Sequence, residues 1–256
     1  MESRNSCQRL RLLSYNIQAG VDTRGYHDYL TQGWKHVLPH RDRQINLDRI
    51  AMLIKPFDIV ALQEVDSGSL RSGFLDQTEY LAQHAQFPFW FAQINRRIGM
   101  LAQHSNGLLS RMKPAQVEEY KLPGLPGRGV ILCRFGGDNG LTICSLHLAL
   151  GRRARLRQIG FVSELVTNEP HLVVMGDMNC GDESDEMRLL VRNTNLRQPG
   201  FHSGTFPSWR PMRRIDHILV SDSLLVENAR VLNYPISDHL PISIDLLIPK
   251  ELELAA

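Results

Sequence analysis

The run Leu172-Val173-Val174-Met175 ends abruptly in Gly176-Asp177-Met178-Asn179, and that junction constrains the fold more than any other segment. Four consecutive apolar side chains leave no residue to face water, so a strand made of them has to be buried among apolar neighbours. The polar residues fall where backbone pairing stops and a cleft can open. Residues two apart in extended chain point to one side, so Asp177 and Asn179 are able to converge on one ligand. In isolation the same tetrapeptide would make an ordinary turn, its side chains bonding nearby backbone.

It is not isolated. Leu12-Leu13-Ser14-Tyr15 ends in Asn16, Ile59-Val60-Ala61-Leu62 in Gln63-Glu64, and the run from Leu141 to Leu146 in His147. Ile215 is followed by Asp216 at the start of a strand, and Ser237-Asp238-His239 sits just before the last one. Six apolar elements thus carry, at one end, a side chain suited to metal or phosphate. Random surface placement rarely does that.

Between these points the chain alternates apolar runs with helical patterns, as α/β proteins do. Leu10 to Tyr15 reads as the first strand. Leu47, Ile50, Ala51 and Ile54 follow the spacing of an amphipathic helix that Pro56 stops. Ile59 to Leu62 is a short buried strand, and Phe74, Leu81, Ala82 and Ala85 mark a second helix ended before Pro88. From Phe89 to Leu148, strands follow one another with turns such as Pro123-Gly124 between them, which predicts antiparallel pairing. A helix over Arg152 to Val166 and strands at His171 to Met175, Ile215 to Val220 and Ile242 to Leu247 complete the reading. Two sheets packed together with helices outside satisfy this order. At 256 residues and 43% apolar content there is enough chain for a sizeable core. One domain over 1–256, with its core at about 9–248, is the expectation.

The four cysteines (Cys7, Cys133, Cys144, Cys180) include no C-x-x-C pair, so neither a zinc ribbon nor a disulfide framework is indicated. No segment has the length and freedom from charge of a bilayer span. The acidic second residue and short apolar run at the N-terminus do not make a secretory signal. A cytoplasmic monomer is expected.

The formal charge of +2 is low for a dedicated nucleic-acid binder. The arginines are nonetheless clustered, as Arg152, Arg153, Arg155 and Arg157 and again as Arg210, Arg213 and Arg214. Each cluster taken alone reads as a solvated helix face or surface loop. Beside the polar strand ends, at least one is placed to meet an anionic substrate.

Oxygen-only groups such as Glu64, Asp238 and Asn16 suit a hard cation, Mg2+ or Mn2+, which keeps several waters and leaves room for phosphate. There is no H-E-x-x-H and no thiolate set to favour zinc. His36 and His40 have helical spacing, but Pro39 between them argues against a metal-binding helix face.

The segments SYNIQAG, ALQEVD, NGLLSR, SLHLAL, VMGDMN, RRIDHILVS and SDHLPI together resemble the endonuclease/exonuclease/phosphatase superfamily, in the family's order, from residue 14 to 242. That resemblance implies a DNase I-like four-layer α/β sandwich: two packed, mainly antiparallel sheets flanked by helices, with the site at one edge. It implies that Glu64 is the main metal carboxylate, with Asn16 beside it and Asp238 as an additional metal-side carboxylate. Asp177 corresponds to the aspartate that positions or deprotonates the attacking water, and Asn179 helps to orient that water. His239 corresponds to the histidine that bonds a phosphoryl oxygen, Asp216 to the carboxylate that orients it, and His147 to a second phosphate-contacting histidine. The histidine in SLHLAL is more similar to the phosphatase, sphingomyelinase and DNase I branches than to AP endonucleases. The segment containing RRIDHILVS resembles the versions in bacterial members.

The implied activity is metal-dependent hydrolysis of a phosphoester by an activated water. The phosphoester oxygens are already negative, so a cation and a protonated imidazole stabilise the charge that grows during in-line displacement. A carboxylate beside the water acts as general base. A His–Asp pair favours imidazolium, so His239 is expected to work protonated and Asp177 ionised. The near-neutral charge, and the loop from Gln18 to Arg43 with Trp34, Tyr26 and Tyr29, favour a small or lipid-derived phosphate ester. A membrane lipid is then a substrate candidate without a membrane span. Nuclease action on DNA or RNA is the alternative, and a non-catalytic phospholigand-binding protein a third reading. Asn106, in NGLLSR, and Arg152, Arg153 and Trp34 are the expected substrate contacts.

Overall fold

The computed structural model describes residues 7–21, 41–137, 139–249, 252 and 254. Two six-stranded sheets carry the fold. The first contains β1 (Cys7–Asn16), β2 (Ile59–Asp66), β3 (Phe89–Ile98), β4 (Ala102–Ser110), β11 (Leu225–Val231) and β12 (Ile242–Pro249), in the order β11-β12-β1-β2-β4-β3. The second contains β5 (Gln116–Lys121), β6 (Gly129–Phe135), β7 (Leu141–His147), β8 (His171–Asp177), β9 (Leu196–Arg197) and β10 (Asp216–Ser221), in the order β5-β6-β7-β8-β10-β9. Among these pairings only β1–β2 and β7–β8 are parallel. Helix α1 (Arg41–Ile54) lies in the first crossover and α3 (Arg152–Leu165) in the second, as parallel neighbours require. Helices α2 (Gln77–Ala85) and α4 (Asp185–Asn193) complete the outer layers.

Side-chain alternation builds four layers. In β1, Leu10 and Leu12 enter a central core with Ile59, Ile131, Cys133, Val173, Met175 and Ile244, between the sheets. Leu13 and Tyr15 point the other way, onto Leu47, Ile50, Leu81 and Ala85 of α1 and α2. Leu132, Leu146 and Val174 likewise meet Ile159, Val162, Met187 and Leu190 of α3 and α4. Strands buried on both faces read as continuous apolar runs for this reason.

The expected elements are present, most strands run longer, the strand expected at Ile215–Val220 is shifted to Asp216–Ser221, and one helix boundary is corrected. The second helix begins at Gln77 and excludes Phe74. Asp76 caps it, accepting from the Thr78 and Glu79 amides, while Phe74 has a left-handed φ of 64° and is exposed. An N-cap aspartate satisfies amides that the helix leaves unpaired, which overrides the apolar spacing. No described helix is long and apolar enough to cross a membrane.

Candidate active site

The parity that builds the central core also builds the site. Asn16 continues the inward row of Leu10 and Leu12; His147 continues Leu141 and Ile143; Asp177 continues Val173 and Met175; Asp216 continues Ile218 and Val220. Each stands where its row leaves the core, at the carboxyl ends of the parallel pairs or the opposing start of β10. The two sheets meet there directly, with Asn16 Nδ2 donating to Asp177 Oδ2 at 3.1 Å.

Glu64 arrives by another route. β2 and β4 pair regularly to Leu62–Gly107 and resume at Val65–Ser105, so Gln63 and Glu64 together oppose Asn106. This one-residue bulge breaks the alternation and re-aims a side chain. Glu64 takes a φ of 55°, a conformation rare and costly for a residue with a Cβ. Its carboxylate, 35% exposed, lies 3.9 Å from His147 Nε2. Asn106 is buried and donates to the Gly129 carbonyl at 3.0 Å.

Asp177 is almost fully buried. The Asn179 amide donates to its Oδ1 at 2.9 Å, while His147 Nε2 and His239 Nε2 stand 3.4 and 3.8 Å from Oδ2. Asn179, also at a left-handed φ of 54°, turns its own amide to the Leu148 carbonyl at 2.9 Å. Burial pushes the Asp177 carboxyl up to about 7, against the pull of His239. His239 Nδ1 lies 2.9 Å from Asp216 Oδ2 and 3.1 Å from Oδ1. Burial opposes charge on that imidazole, but Asp216 and then Asp177 outweigh it and hold His239 up to about 10. His147 goes the other way: burial, with Arg128 and His239 nearby, keeps it well below the usual histidine range. At neutral pH the site therefore holds one charged and one neutral imidazole on either side of Asp177.

Asp238 and His239 are fixed by the segment before β12. The Ser237 hydroxyl donates to the Asn16 carbonyl at 2.7 Å, and the Ser208 amide to the Asp238 carbonyl at 2.7 Å. The Phe206 ring sits 4.9 Å from the His239 ring. Arg152 and Arg153 start α3, just past His147, and both are exposed; Arg152 pairs with Asp185 at 2.5 Å. Arg155 pairs with Glu186 at 2.8 Å and is largely buried, a role in packing α3 on α4. Trp34, Tyr26, Tyr29, His36 and His40 lie outside the described residues. Arg128 was not singled out by sequence reasoning. It adjoins the site, bonded to the Leu148 carbonyl at 2.8 Å, and its charge acts on Glu64, His147 and His104. Its only sequence signal is its place after the Pro-Gly turns, next to Gly129.

Two donor sets suit a cation differently. Asp177, Asp216 and His239 present ligand atoms within 4.8 Å of one another. His239 Nδ1 is committed to Asp216, however, and its proton is tightly held, so a cation there would have to displace that proton. Glu64 lies near two further oxygen donors, Asn16, which shares a hydrogen bond with it, and Asp238, with His147 Nε2 at 3.9 Å. Burial lifts its carboxyl, and the Asp238 charge adds to that. Like charges gathered in a partly buried place fit a hard divalent cation, which would relieve their repulsion.

The sequence profile of the Endonuclease/Exonuclease/phosphatase family matches residues 13–239, which takes in every one of these site residues. The chain belongs to that family. Its members are phosphoesterase hydrolases, generally dependent on a divalent metal, and this chain is one such enzyme. No curated protein matches it significantly in sequence. Solved structures share the fold at low identity. An endonuclease/exonuclease/phosphatase family protein of Bacteroides thetaiotaomicron is 19% identical with a TM-score of 0.71, the match covering 94% of this chain and 98% of that one. The mannosyl-6-phosphatase of the same organism is 19% identical with a TM-score of 0.68, over 93% and 99% of the two chains. The human Nocturnin catalytic domain is 19% identical with a TM-score of 0.66, over 95% and 97%. The shared architecture is the DNase I-like sandwich expected from the sequence.

Proposed function

We propose that this family member hydrolyses a small or lipid-derived phosphate ester as a single-domain monomer, by in-line attack of a water that Asp177 deprotonates. The observation that carries the reading is the placement of Asp177 Oδ2 between a protonated and a neutral imidazole, His239 and His147. Base and electrophile roles are separated there by environment.

Asp177 takes the water's proton on Oδ2, its other oxygen held by the Asn179 backbone amide. As the water oxygen bonds phosphorus, the opposite P–O ester bond breaks and the leaving alcohol oxygen takes a proton from solvent. Asn179 restricts where the water can sit. His239, kept cationic by Asp216, donates from Nε2 to a non-bridging phosphoryl oxygen, where charge builds up. His147, neutral through burial, donates to a second oxygen. Glu64, Asn16 and Asp238 would hold Mg2+ or Mn2+, which would supply neutralisation of the negative charge that grows during displacement. Asn106 supports the bulge that presents Glu64. Arg152 and Arg153 meet the part of the substrate that does not react.

The test is a panel of bis-p-nitrophenyl phosphate, sugar phosphates, phospholipids and an oligonucleotide, with Mg2+, with Mn2+ and with EDTA, beside Asp177→Ala. Metal-dependent turnover lost in Asp177→Ala is expected. Turnover in EDTA, or an Asp177→Ala variant of full activity, would overturn the assignment. Preference for the oligonucleotide would replace the substrate class with nucleic acid.

A further inference from the structure

Among the described residues, half of the exposed large apolar side chains stand on four loops at the catalytic edge. Ile98, Met100 and Leu101 form the tip of the β3–β4 hairpin, next to the end of β2 because Asp66 pairs with His104. Leu125 is in the β5–β6 loop, beside the end of β7 because Val130 pairs with Leu146. Leu150 lies three residues past His147. Met212 lies in the loop that leads into Asp216, opposite Asp177. Leu125 is 87% exposed, Leu150 76%, Met100 72% and Met212 63%.

These tips are held outward by the fold. The Leu70 amide donates to the Met100 carbonyl at 2.8 Å and the Arg71 amide to the Leu101 carbonyl at 3.2 Å. Leu125 sits between Pro123 and Pro126 in a loop closed by the Leu122 amide on the Arg128 carbonyl. Arg155, anchored on Glu186, also donates to the Leu150 carbonyl. The Met212 amide donates to the Phe206 carbonyl at 3.2 Å.

The same loops are cationic. Residues 96–101, 122–128, 149–153 and 209–214 read RRIGML, LPGLPGR, ALGRR and WRPMRR. They hold eight of the chain's 29 lysines and arginines and no aspartate or glutamate of their own, with Arg152 and Arg214 paired to Asp185 and Asp182 outside the loops. In a protein of formal charge +2 this is a local concentration, and every loop combines an exposed aliphatic tip with arginine. Aliphatic tips among arginines fit an anionic lipid surface, where the tips enter the acyl boundary and the guanidinium groups meet headgroups. The exposed tips are leucine, isoleucine and methionine, and Trp209, the one aromatic in these loops, is half-buried, which separates this face from a single-strand nucleic-acid platform built on exposed rings.

We infer that the catalytic edge docks on an anionic lipid bilayer through these four loops, placing the Asp177–His239 centre against the headgroup layer. The inference rests on the phosphoesterase reading only for what is cleaved; docking itself needs no turnover. The experiment is co-sedimentation, in EDTA, with phosphatidylcholine vesicles containing roughly one-third phosphatidylglycerol and with pure phosphatidylcholine vesicles. The full chain is expected to sediment with the anionic vesicles only, less so at high salt. Leu125→Glu/Leu150→Glu is expected to weaken that binding by about tenfold or more, with turnover of soluble bis-p-nitrophenyl phosphate unchanged. No binding to anionic vesicles would overturn the inference, as would binding that the double variant leaves intact. Displacement from vesicles by an oligonucleotide, with the double variant still binding the oligonucleotide, would reassign the face to nucleic acid. Vesicle binding without hydrolysis of any ester would overturn the proposed function instead.

Discussion

Asp177 and Asp216 are paired residues on adjacent antiparallel strands, β8 and β10, and His239 bridges their carboxylates, 2.9 Å from Asp216 and 3.8 Å from Asp177. The closer carboxylate fixes the imidazolium and leaves the farther one with burial as its largest influence. That asymmetry sets the pH dependence. On the proposed mechanism Asp177 works ionised and His239 protonated, so the pH–rate profile at subsaturating metal should rise near pH 7 and fall near pH 10. Asp216→Asn removes the main support for the charge, so its alkaline limb should move to lower pH, with kcat down about 10²–10³-fold. The pair also links to stability. The His239 folded pKa, about 10, lies above the unfolded value of about 6.5. Its contribution is therefore fully present below that unfolded value and lost as pH rises through 10. Thermal melts at pH 7 and pH 10 should show this loss in the wild type and less of it in Asp216→Asn. An alkaline limb that stays in place in Asp216→Asn would sink the assignment.

The raised carboxyls of Glu64 and Asp177 predict proton release on cation binding. Mg2+ or Mn2+ should bind more weakly at pH 5.5 than at pH 8, and saturating metal should pull the acid limb of the rate profile below 7. Metal at a hundredfold excess over Kd stabilises by about 2.7 kcal/mol, or about 5–10 °C in a domain of this size. Differential scanning fluorimetry should show that rise and its reversal by EDTA. Glu64→Ala should abolish most of it; Asp216→Ala should not. The opposite ranking would place the cation on the Asp177, Asp216 and His239 group.

Much of this centre was legible because apolar strands have a period of two. Once the inward rows of β1, β7, β8 and β10 are known, Asn16, His147, Asp177 and Asp216 are the residues that extend them past the core. The position of Glu64 was not legible in the same way, because it depends on a bulge and a left-handed φ that no alternation announces. Helix α4 was missed although Ser184 caps it and Asp185 and Glu186 fill its first turn, signals obscured by the preceding motif. Strand β11 was missed for a physical reason. It is an edge strand with a bulge at Val226–Asn228 and mostly exposed residues, so it lacks the apolar run by which the central strands are read. That one face of the site gathers arginines and aliphatic tips could not be read before the registers brought four distant loops together.

Asp66, two residues past Glu64, anchors the end of β2. It is buried and accepts Arg71 Nε at 2.5 Å, the Ser69 hydroxyl at 2.7 Å and the Ser69 amide at 2.8 Å. Burial resists ionisation, but these bonds hold the carboxyl below its ordinary range. Arg71→Ala strands a buried charge and should cost roughly 3 kcal/mol. Asp66→Asn/Arg71→Met, which removes both charges, should cost less than the single variant. The stabilisation is present above the unfolded carboxyl pKa and fades as pH falls through the lower folded value. Denaturant melts at pH 7 and pH 3 should therefore separate wild type from Arg71→Ala at the higher pH and bring them together at the lower. A gap that persists at pH 3 would mean that packing, not charge, is what Arg71 provides.

Gly176 lets β8 lie against β7 just before Asp177. Its φ is 148°, and a Cβ there would stand 1.9 Å from the Leu146 carbonyl oxygen. Alanine has to push the strands apart exactly where Leu146 pairs with Gly176 and His147 with Asp177. The backbone conformation alone costs about 1–3 kcal/mol, and the displaced ladder adds to it, so Gly176→Ala should melt well below the wild type. The sharper expectation concerns chemistry. A displacement near 1 Å between Asp177 and His147 costs on the order of 10²-fold in rate, so kcat should fall that far at temperatures where the variant is still folded by circular dichroism. Gly160→Ala, which replaces a helical glycine with open space around its Cβ, is the matched control and should keep full kcat with equal or higher stability. If Gly176→Ala keeps full activity while folded, the close β7–β8 approach does not position the general base.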